Sequence, residues 1–516
     1  MKPKKPNPGK ELYAQLRRLP WDDLWNLEVS RFNAASPRER TDRVAVIRAV
    51  GVVFSESGRA SQNEPVRQWL RGLLRDPDEK VRRYAMTALP KIGADATEET
   101  ELLSLLKTTS VEREKKFLGR ALDKIGRDTT LEAMGETAGL LPQTEQKVKA
   151  AVARAQSPSE IRLDGALNDF TGLKVHLRCR NGLENIVRDE LEASRTIDLK
   201  FQVVDVQPGL VILEPSASFT LGDLYTLRCF HTVGFVLGEA RATKNAVPVD
   251  ALAALITSPL SQRIFQSFTQ GTIRYRIDFI GKGHQRGAVR ELANRAYALC
   301  PEILNDPRVA PWAANLYPSS QGYSVELSPR FVPDPRFAYR MGDVPAASHP
   351  PLAACMARLA GPMENEIVWD PFCGSGLELI EAALRGGVQA AFGTDRDAAA
   401  IATAERNFAA AALPSVPARF TCIDFRKFAG IEGLKPGTVS LVVTNPPMGR
   451  RVPIGNLRQL IEDLFYVAAS ALRPGGRLVF ANPMLMDSPV NSLTLQSRQS
   501  IDLGGLNCRL ELYLKK

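Results

Sequence analysis

The sequence predicts a multidomain chain in three parts: an all-α first third, an α+β middle, and an α/β last third built on a parallel sheet. Three observations carry that expectation. A helical stretch, VRRYAMTALPKIG at 81–93, is echoed 33 residues later by EKKFLGRALDKIG at 114–126. From about residue 173 the apolar period changes from helical spacing to alternation. From residue 366 onward, short apolar runs alternate with helical patterns, which implies parallel strands covered on both faces. Length agrees, since 516 residues exceed one ordinary core and suggest about three domains.

Composition sets the class. With 44% hydrophobic and 24% charged residues the chain is globular and not disordered. A net charge of +10 and a pI near 9.2 favour a polyanionic partner. The seven cysteines include no Cys-x-x-Cys pair and the four histidines do not cluster with them, so neither a metal site nor a disulfide framework is expected. The amino-terminal MKPKKPNPGK is basic and Pro-rich, and ELYAQLRRLPWDDLW after it holds no apolar run long enough for a signal or a membrane span. These features predict a soluble, cytoplasmic protein with no membrane association.

Residues 1–155 read as helix throughout. In the two echoed stretches Ala88/Ala121, Leu89/Leu122, Ile92/Ile125 and the closing glycines Gly93/Gly126 fall in register, and a weaker copy, RVAVIRAVG, is expected to close at Gly51. Such a repeat implies stacked helix pairs of the HEAT type, and DPDEKVRRYAMTALPKIG resembles a HEAT repeat, with Asp76-Pro77 opening its helix. A stack of this kind offers a surface for a protein partner or RNA, or simply pads a neighbour.

The polar, aperiodic run 153–172 is expected to be a linker. Beyond it, LKVHLRCR alternates as a strand, NGLENIVRDELEA (181–193) is an amphipathic helix, and FQVVDVQPGLVILEP (201–215) is a hairpin turned at Pro208-Gly209. TIRYRIDFIGKG (272–283) is a basic strand whose Arg274, Arg276 and Lys282 are candidate RNA contacts.

In the last third the expected strands are 366–370, 390–395, 419–424, 439–446, 476–483 and a final pair near 498–515. Ligands of such sheets lie beyond the strands' carboxyl ends. The first strand ends in DPFCGSG, where Phe372, Gly374 and Gly376 form a loop that lets backbone approach a ligand, and Asp370 is placed to accept from an ammonium group. Asp395 ends the second strand, positioned for ribose hydroxyls, and Asp424 the third, positioned for an adenine amine. Three acids at three successive strand ends, with a Gly-Ser-Gly loop that lacks G-x-G-x-x-G spacing, imply a cradle for S-adenosylmethionine.

The fourth strand runs into Asn445-Pro446-Pro447-Met448. Exocyclic base amines are poor nucleophiles because the lone pair is delocalised into the ring. The Asn445 amide oxygen and the Pro446 carbonyl can accept both amine hydrogens and localise that pair, while the prolines stiffen the loop. Positioning then supplies much of the rate. Met448 takes the place where a stacking ring is common, and its thioether can still pack against a base. Arg450 and Arg451 follow, as phosphate contacts or as solvated charges.

From 173 to 516 the chain resembles the THUMP-containing tRNA (guanine-N2) methyltransferases. The likeness rests on GLENIVRDEL, similar to the opening of that family's ferredoxin-like domain, and on NLYPSSQGYSVELS (315–328), similar to the closing strand of a THUMP module. It also rests on RFAYRMGDVPAASHPPLAACMARLAG (336–361), similar to its connecting stretch, in which a helix packs over the cofactor's methionine end, and on DPFCGSG and NPPMGRR, which departs at Met448. The resemblance implies a ferredoxin-like plus THUMP-like RNA-binding domain at 173–330 and a Rossmann-like class I methyltransferase at 331–516. It further implies Asp370, Gly374 and Gly376 on the cofactor's methionine part, Asp395 on ribose, Asp424 on adenine, Asn445 and Pro446 on the target amine, and structured RNA, tRNA above all, as partner. The helical first third is no part of that pattern. Adenine-N6 or ribosomal RNA methylation uses the same Asn-Pro-Pro, and a noncatalytic RNA-binding scaffold is the reading from another class.

Overall fold

Asp78 and Asp95 start two of the helices that the 33-residue echo predicts. Asp78 accepts from the Lys80 amide at 2.7 Å, and Asp95 forms a reciprocal cap with Glu98. In the computed structural model, which describes residues 8–58, 62–127, 129–130, 132–133, 158–242, 247–281, 283, 285–345, 347–448 and 455–516, the echoed stretches form helices Glu79–Ala88 and Glu112–Ile125. Each follows a partner helix, Asn63–Leu73 and Ala96–Thr108 respectively. The in-register residues Ala88, Leu89, Ile92, Ala121, Leu122 and Ile125 are all buried.

Two fully buried carboxylates join helices about one repeat apart. Glu98 accepts from Arg67 Nε at 3.0 Å and Arg71 Nη1 at 2.6 Å, and Glu114 from Arg82 Nε at 2.5 Å. Burial raises the Glu98 pKa, but Arg67 and its other hydrogen bonds outweigh that and hold it below the ordinary range.

Two expectations for this region are corrected. Gly51 closes nothing: it lies inside helix Ala45–Ser57, where a Cβ would stand 2.9 Å from the Ala88 Cβ, so glycine there permits close helix approach. Nor does Asp76-Pro77 open a helix; Asp76 pairs with Arg40 and takes the Asp78 amide, and the helix starts after Asp78.

The chain divides into two compact units, Met1–Pro158 and Ser159–Lys516. The expected linker is therefore partly wrong: Ser159–Ile161 pairs with Thr269–Gly271, and Ala166–Leu167 with Phe219–Thr220, so short strands tie this run into the second unit. Residues 153–157 lie outside the described residues.

The middle of that unit is an eight-stranded sheet ordered Leu304–Asn305, Arg274–Phe279, Trp312–Ser319, Gly322–Pro329, Thr232–Arg241, Val175–Arg178, Leu210–Pro215, Phe201–Gln207. The last two form the hairpin expected at Pro208-Gly209. The 315–328 stretch, expected as one closing strand, is instead an antiparallel hairpin: Ser320-Gln321 turn the chain between the paired Ser319 and Gly322, and Gly322 adopts φ +155°.

The last third forms a seven-stranded sheet of β1 (Glu366–Asp370), β2 (Val388–Asp395), β3 (Ala418–Cys422), β4 (Val439–Thr444), β5 (Leu472–Asn482), β6 (Leu493–Asp502) and β7 (Asn507–Lys515). Its order is β3-β2-β1-β4-β5-β7-β6, with β1 to β5 parallel and β7 antiparallel to both neighbours. β4 is buried along its whole length, as a central parallel strand requires. From β1 the chain first builds outward to β3, then crosses back to place β4 on the other side of β1. That reversal parts the loops at the strands' carboxyl ends.

The connector 336–361 locks the two sheets together. Arg228 donates to Glu381 at 2.7 and 2.8 Å, Tyr339 donates to the same carboxylate at 2.5 Å, and Arg336 Nη1 donates to the Phe230 carbonyl at 2.9 Å. Helix Pro350–Leu359 is buried along almost its whole length behind the β1 loop.

Because Gly51 meets Ala88 so closely, Gly51→Leu must push two helices apart. We expect the substitution to lower stability by about 1–3 kcal/mol, read as a lower urea midpoint in circular dichroism of the full chain; an unchanged midpoint would refute the close approach.

Candidate active site

Parallel pairing of β1 with β4 brings Asp370 and Thr444 together at the switch point, and Thr444 Oγ1 donates to Asp370 Oδ1 at 2.5 Å. The Phe372 amide donates to the same oxygen at 3.0 Å. Asp370 is completely buried, yet its Oδ2 has no partner. Burial, with the Glu378 carboxylate nearby, pushes the Asp370 carboxyl well above its ordinary range. An ammonium group at Oδ2 would reverse that balance and favour the carboxylate.

The loop beyond β1 needs its glycines for stated reasons. Gly374 and Gly376 have φ of +48° and +82°, and a Cβ on Gly376 would stand 3.2 Å from the Ala404 Cβ. Gly374 N donates to Asp395 Oδ2 at 3.0 Å, while Asp395 Oδ1 takes the Asp397 amide at 3.0 Å. A carboxylate has further lone pairs, so half-buried Asp395 keeps acceptor capacity. Asp424 caps the turn Phe425–Gly430 and is paired with Arg426 at 2.9 Å. Burial raises its pKa, but the Arg426 amide and guanidinium prevail and hold it low. Phe372 packs on Phe425 with ring centroids 4.7 Å apart, forming an apolar wall between the ends of β1 and β3.

β4 leads straight into Asn445. Its Nδ2 donates to Ser348 Oγ at 2.8 Å, and Ser348 in turn donates to Glu378 Oε1. The Asn445 Oδ1 is buried and without a partner. Asn445, Pro446, Pro447 and Met448 line one side of a cleft of about 400 Å³, faced by Arg180, Arg340, Asp343 and His349, with Leu503 and Leu506 from the turn between β6 and β7. Met448 is held from behind by Cys508, whose Sγ lies 3.8 Å from its Sδ.

The cleft is basic, yet its histidine is neutral. Burial, then His231 and Arg180, pushes His349 down to about 3. Arg180 Nη1 donates to the Asp502 carbonyl at 3.2 Å, and Arg340 pairs with Asp343 at 2.5 Å.

Asp370, Phe372, Gly374, Gly376, Asp395 and Asp424 thus gather along the carboxyl ends of β1, β2 and β3, and Asn445 to Met448 stand across the switch point. The proposed RNA strand fares differently. Arg274 is only 3% exposed and does not reach the surface. Arg276 is half-buried and paired with Asp278 at 2.6 Å. Lys282, Arg450 and Arg451 lie outside the described residues.

Sequence reasoning missed Ser348, Glu378, Arg180, Arg340 and His349. A signal existed for one of them: Glu378 and Glu381 interrupt LELIEAAL, a short helix otherwise all apolar, and both are buried. The rest belong to segments that only folding brings to the cleft. Among the described residues, no group of three or more His, Cys, Asp or Glu side chains could hold a metal ion, and no helix is long and apolar enough to cross a membrane.

Residues 338–496 match the UPF0020 family, described as RMKL-like, methyltransferase domain. No curated protein matches the chain in sequence. The structure is similar to TrmN from Thermus thermophilus, with TM-score 0.52 and 20% identity over 67% of this chain and 100% of that one. A predicted N6-adenine-specific DNA methylase from Listeria monocytogenes gives 0.45 at 16% identity, covering 67% of this chain and 96% of its own. An RNA methyltransferase from Salinibacter ruber, in complex with S-adenosyl-L-homocysteine, gives 0.25 at 18% identity over 33% of this chain and 94% of its own. The last part of the chain is a Rossmann-like class I methyltransferase domain, and its cofactor is S-adenosylmethionine. The residues present fit that cofactor: an orphaned buried carboxylate oxygen stands at the end of β1, followed by a glycine loop in which a side chain at Gly376 would be strained by its positive φ and crowded by Ala404.

Glu378 gives the site a pH signature. Burial, against the Ser348 hydrogen bond and with Glu381 adding repulsion, raises its carboxyl from an ordinary 4.5 to about 7. Between those values the folded chain keeps a proton that the unfolded chain has released, so this group's contribution falls as pH rises from 4.5 to about 7 and then levels off. Relative to wild type, Glu378→Gln should gain about 1–3 kcal/mol between roughly pH 5 and pH 8, measured by urea unfolding without ligand; parallel pH curves for the two proteins would rule this out.

Proposed function

We propose that the chain transfers a methyl group from S-adenosylmethionine to an exocyclic base amine of RNA, guanine-N2 in tRNA being the favoured target. The observation that carries this reading is the Asn445 Oδ1: buried, unpartnered, and set in a cleft across the switch point from Asp370. S-adenosylmethionine supplies an electrophilic methyl group. The chain's own residues do the rest. Asp370, the Gly374–Gly376 loop and Asp395 hold the cofactor, with Asp424 and the Phe372 wall at its adenine. Asn445 Oδ1 and the Pro446 carbonyl accept the two amine hydrogens and turn the nitrogen lone pair out of the ring. Preorganised acceptors of this kind cost no reorganisation at the moment of reaction.

Two features support guanine in RNA. Asp343 adds an acceptor-only carboxylate to the cleft, which suits the N1–H of guanine and opposes the N1 lone pair of adenine. Arg180 gives the cleft the charge a phosphate-flanked nucleotide needs, Arg340 being paired with Asp343, and a base must leave its stack to enter it. Met448 stands as a polarizable wall for the base face. We read the eight-stranded sheet as the ferredoxin-like plus THUMP-like RNA-binding part, and the helix pairs as a HEAT-like platform for RNA or a protein partner.

Labelled methyl transfer to total small RNA, followed by nucleoside analysis, tests the reading. Wild type should yield N2-methylguanosine, and Asn445→Ala should lose at least about 100-fold in rate. N6-methyladenosine as product would move the target to adenine, and cofactor binding with no transfer to any RNA would leave a scaffold. Arg180→Ala should raise KM for RNA several-fold and flatten its salt dependence by about one unit of slope; unchanged KM and slope would remove Arg180 from the RNA path.

A further inference from the structure

We infer that Ser348 and Glu378 are positioning residues that fix which end of the Asn445 amide faces the substrate. The inference rests on the amine-methylation reading above. An asparagine amide is nearly symmetric in shape, and only hydrogen bonding distinguishes its oxygen from its NH2. A flipped Asn445 would aim two N–H groups at the substrate's own N–H donors, so the grip on the amine needs one orientation.

The structure supplies the device. Ser348 Oγ has one proton, and it is donated to Glu378 Oε1, which accepts it as a carboxylate oxygen. The hydroxyl lone pair is left facing Asn445, and Nδ2 donates to it at 2.8 Å. Flipping the amide would set Oδ1 against that lone pair and strand both groups. Ser348 is 8% exposed and Glu378 3%, so water offers little substitute. Oδ1 is thereby left as the buried end of the amide with no other partner, in a residue that lines the cleft. The three residues come from three segments: the connector before helix Pro350–Leu359, the helix Leu377–Leu384 that follows the glycine loop, and the end of β4. Glu378 stands two residues after Gly376, so the helix that follows the glycine loop also carries the far end of this relay.

A double-mutant cycle separates orientation from packing. In the wild-type background Ser348→Ala should lower kcat about tenfold, with KM for RNA changed less than about twofold. A carboxylate has two equivalent acceptor oxygens and no wrong face, so in an Asn445→Asp background the same Ser348→Ala should cost less than about twofold. Equal losses in both backgrounds, or no loss in the first, would overturn the inference. Orientation is also read without turnover, in the full chain labelled with 15N-asparagine. The Asn445 side-chain NH2 signals, identified by their absence in Asn445→Asp, should exchange slowly in wild type and at the rate of a free amide in Ser348→Ala. Free-amide exchange in wild type, or no change on Ser348→Ala, rejects the relay whatever the activity. Wild-type protein that methylates no RNA while keeping the protected amide would instead reject the amine reading and leave the relay standing.

Discussion

The reversal of strand order between β1 and β4 is the constraint on which the site depends. Only there do two neighbouring strands send their following loops in opposite directions, leaving a crevice flanked by backbone. Thr444 Oγ1 on Asp370 Oδ1 fastens the two strand ends across that crevice, and by occupying one carboxylate oxygen it leaves the other for a ligand. Burying Asp370 without a cation is unfavourable, which is why its carboxyl is raised. The candidate site thus centres on an unsatisfied group that the surrounding fold is rigid enough to hold.

That rigidity is shared between the two sheets of the second unit. Arg228 and Tyr339 converge on Glu381 in the helix behind the glycine loop, Arg336 reaches the Phe230 carbonyl, and Arg180 reaches the Asp502 carbonyl. The middle of the chain therefore supplies one wall of the cleft and also braces the helix that carries Glu378. Electrostatics divide the labour within it: guanidinium groups carry the charge, while His349 is kept neutral by burial, by His231 and by Arg180, Arg340 and Arg336.

Met448 shows how a departure from an aromatic pattern is accommodated. Its flexible thioether is pinned by Cys508 on β7, so the cleft keeps an apolar wall even without a planar ring. The wall's position comes from a strand about sixty residues further along, which no local reading of Asn-Pro-Pro-Met includes.

The sequence by itself determined the period of each segment and the residues at the strand ends. Alternation and 3.6-residue spacing are local properties, so the helix pairs, the hairpin at Pro208-Gly209 and the strands of the last sheet were legible, as were Asp370, the glycine loop and Asn445. Tertiary structure decided what depends on which segments meet. It turned Gly51 from a helix end into a close-approach point against Ala88, buried the Arg274 side chain, and drew part of an expected linker into strand pairing. It also made Asn445 one end of a relay through Ser348 and Glu378, two residues whose roles arise from three segments converging at one strand end. Spacing records neighbours along the chain, whereas hydrogen bonding and burial at a site are set by neighbours in space.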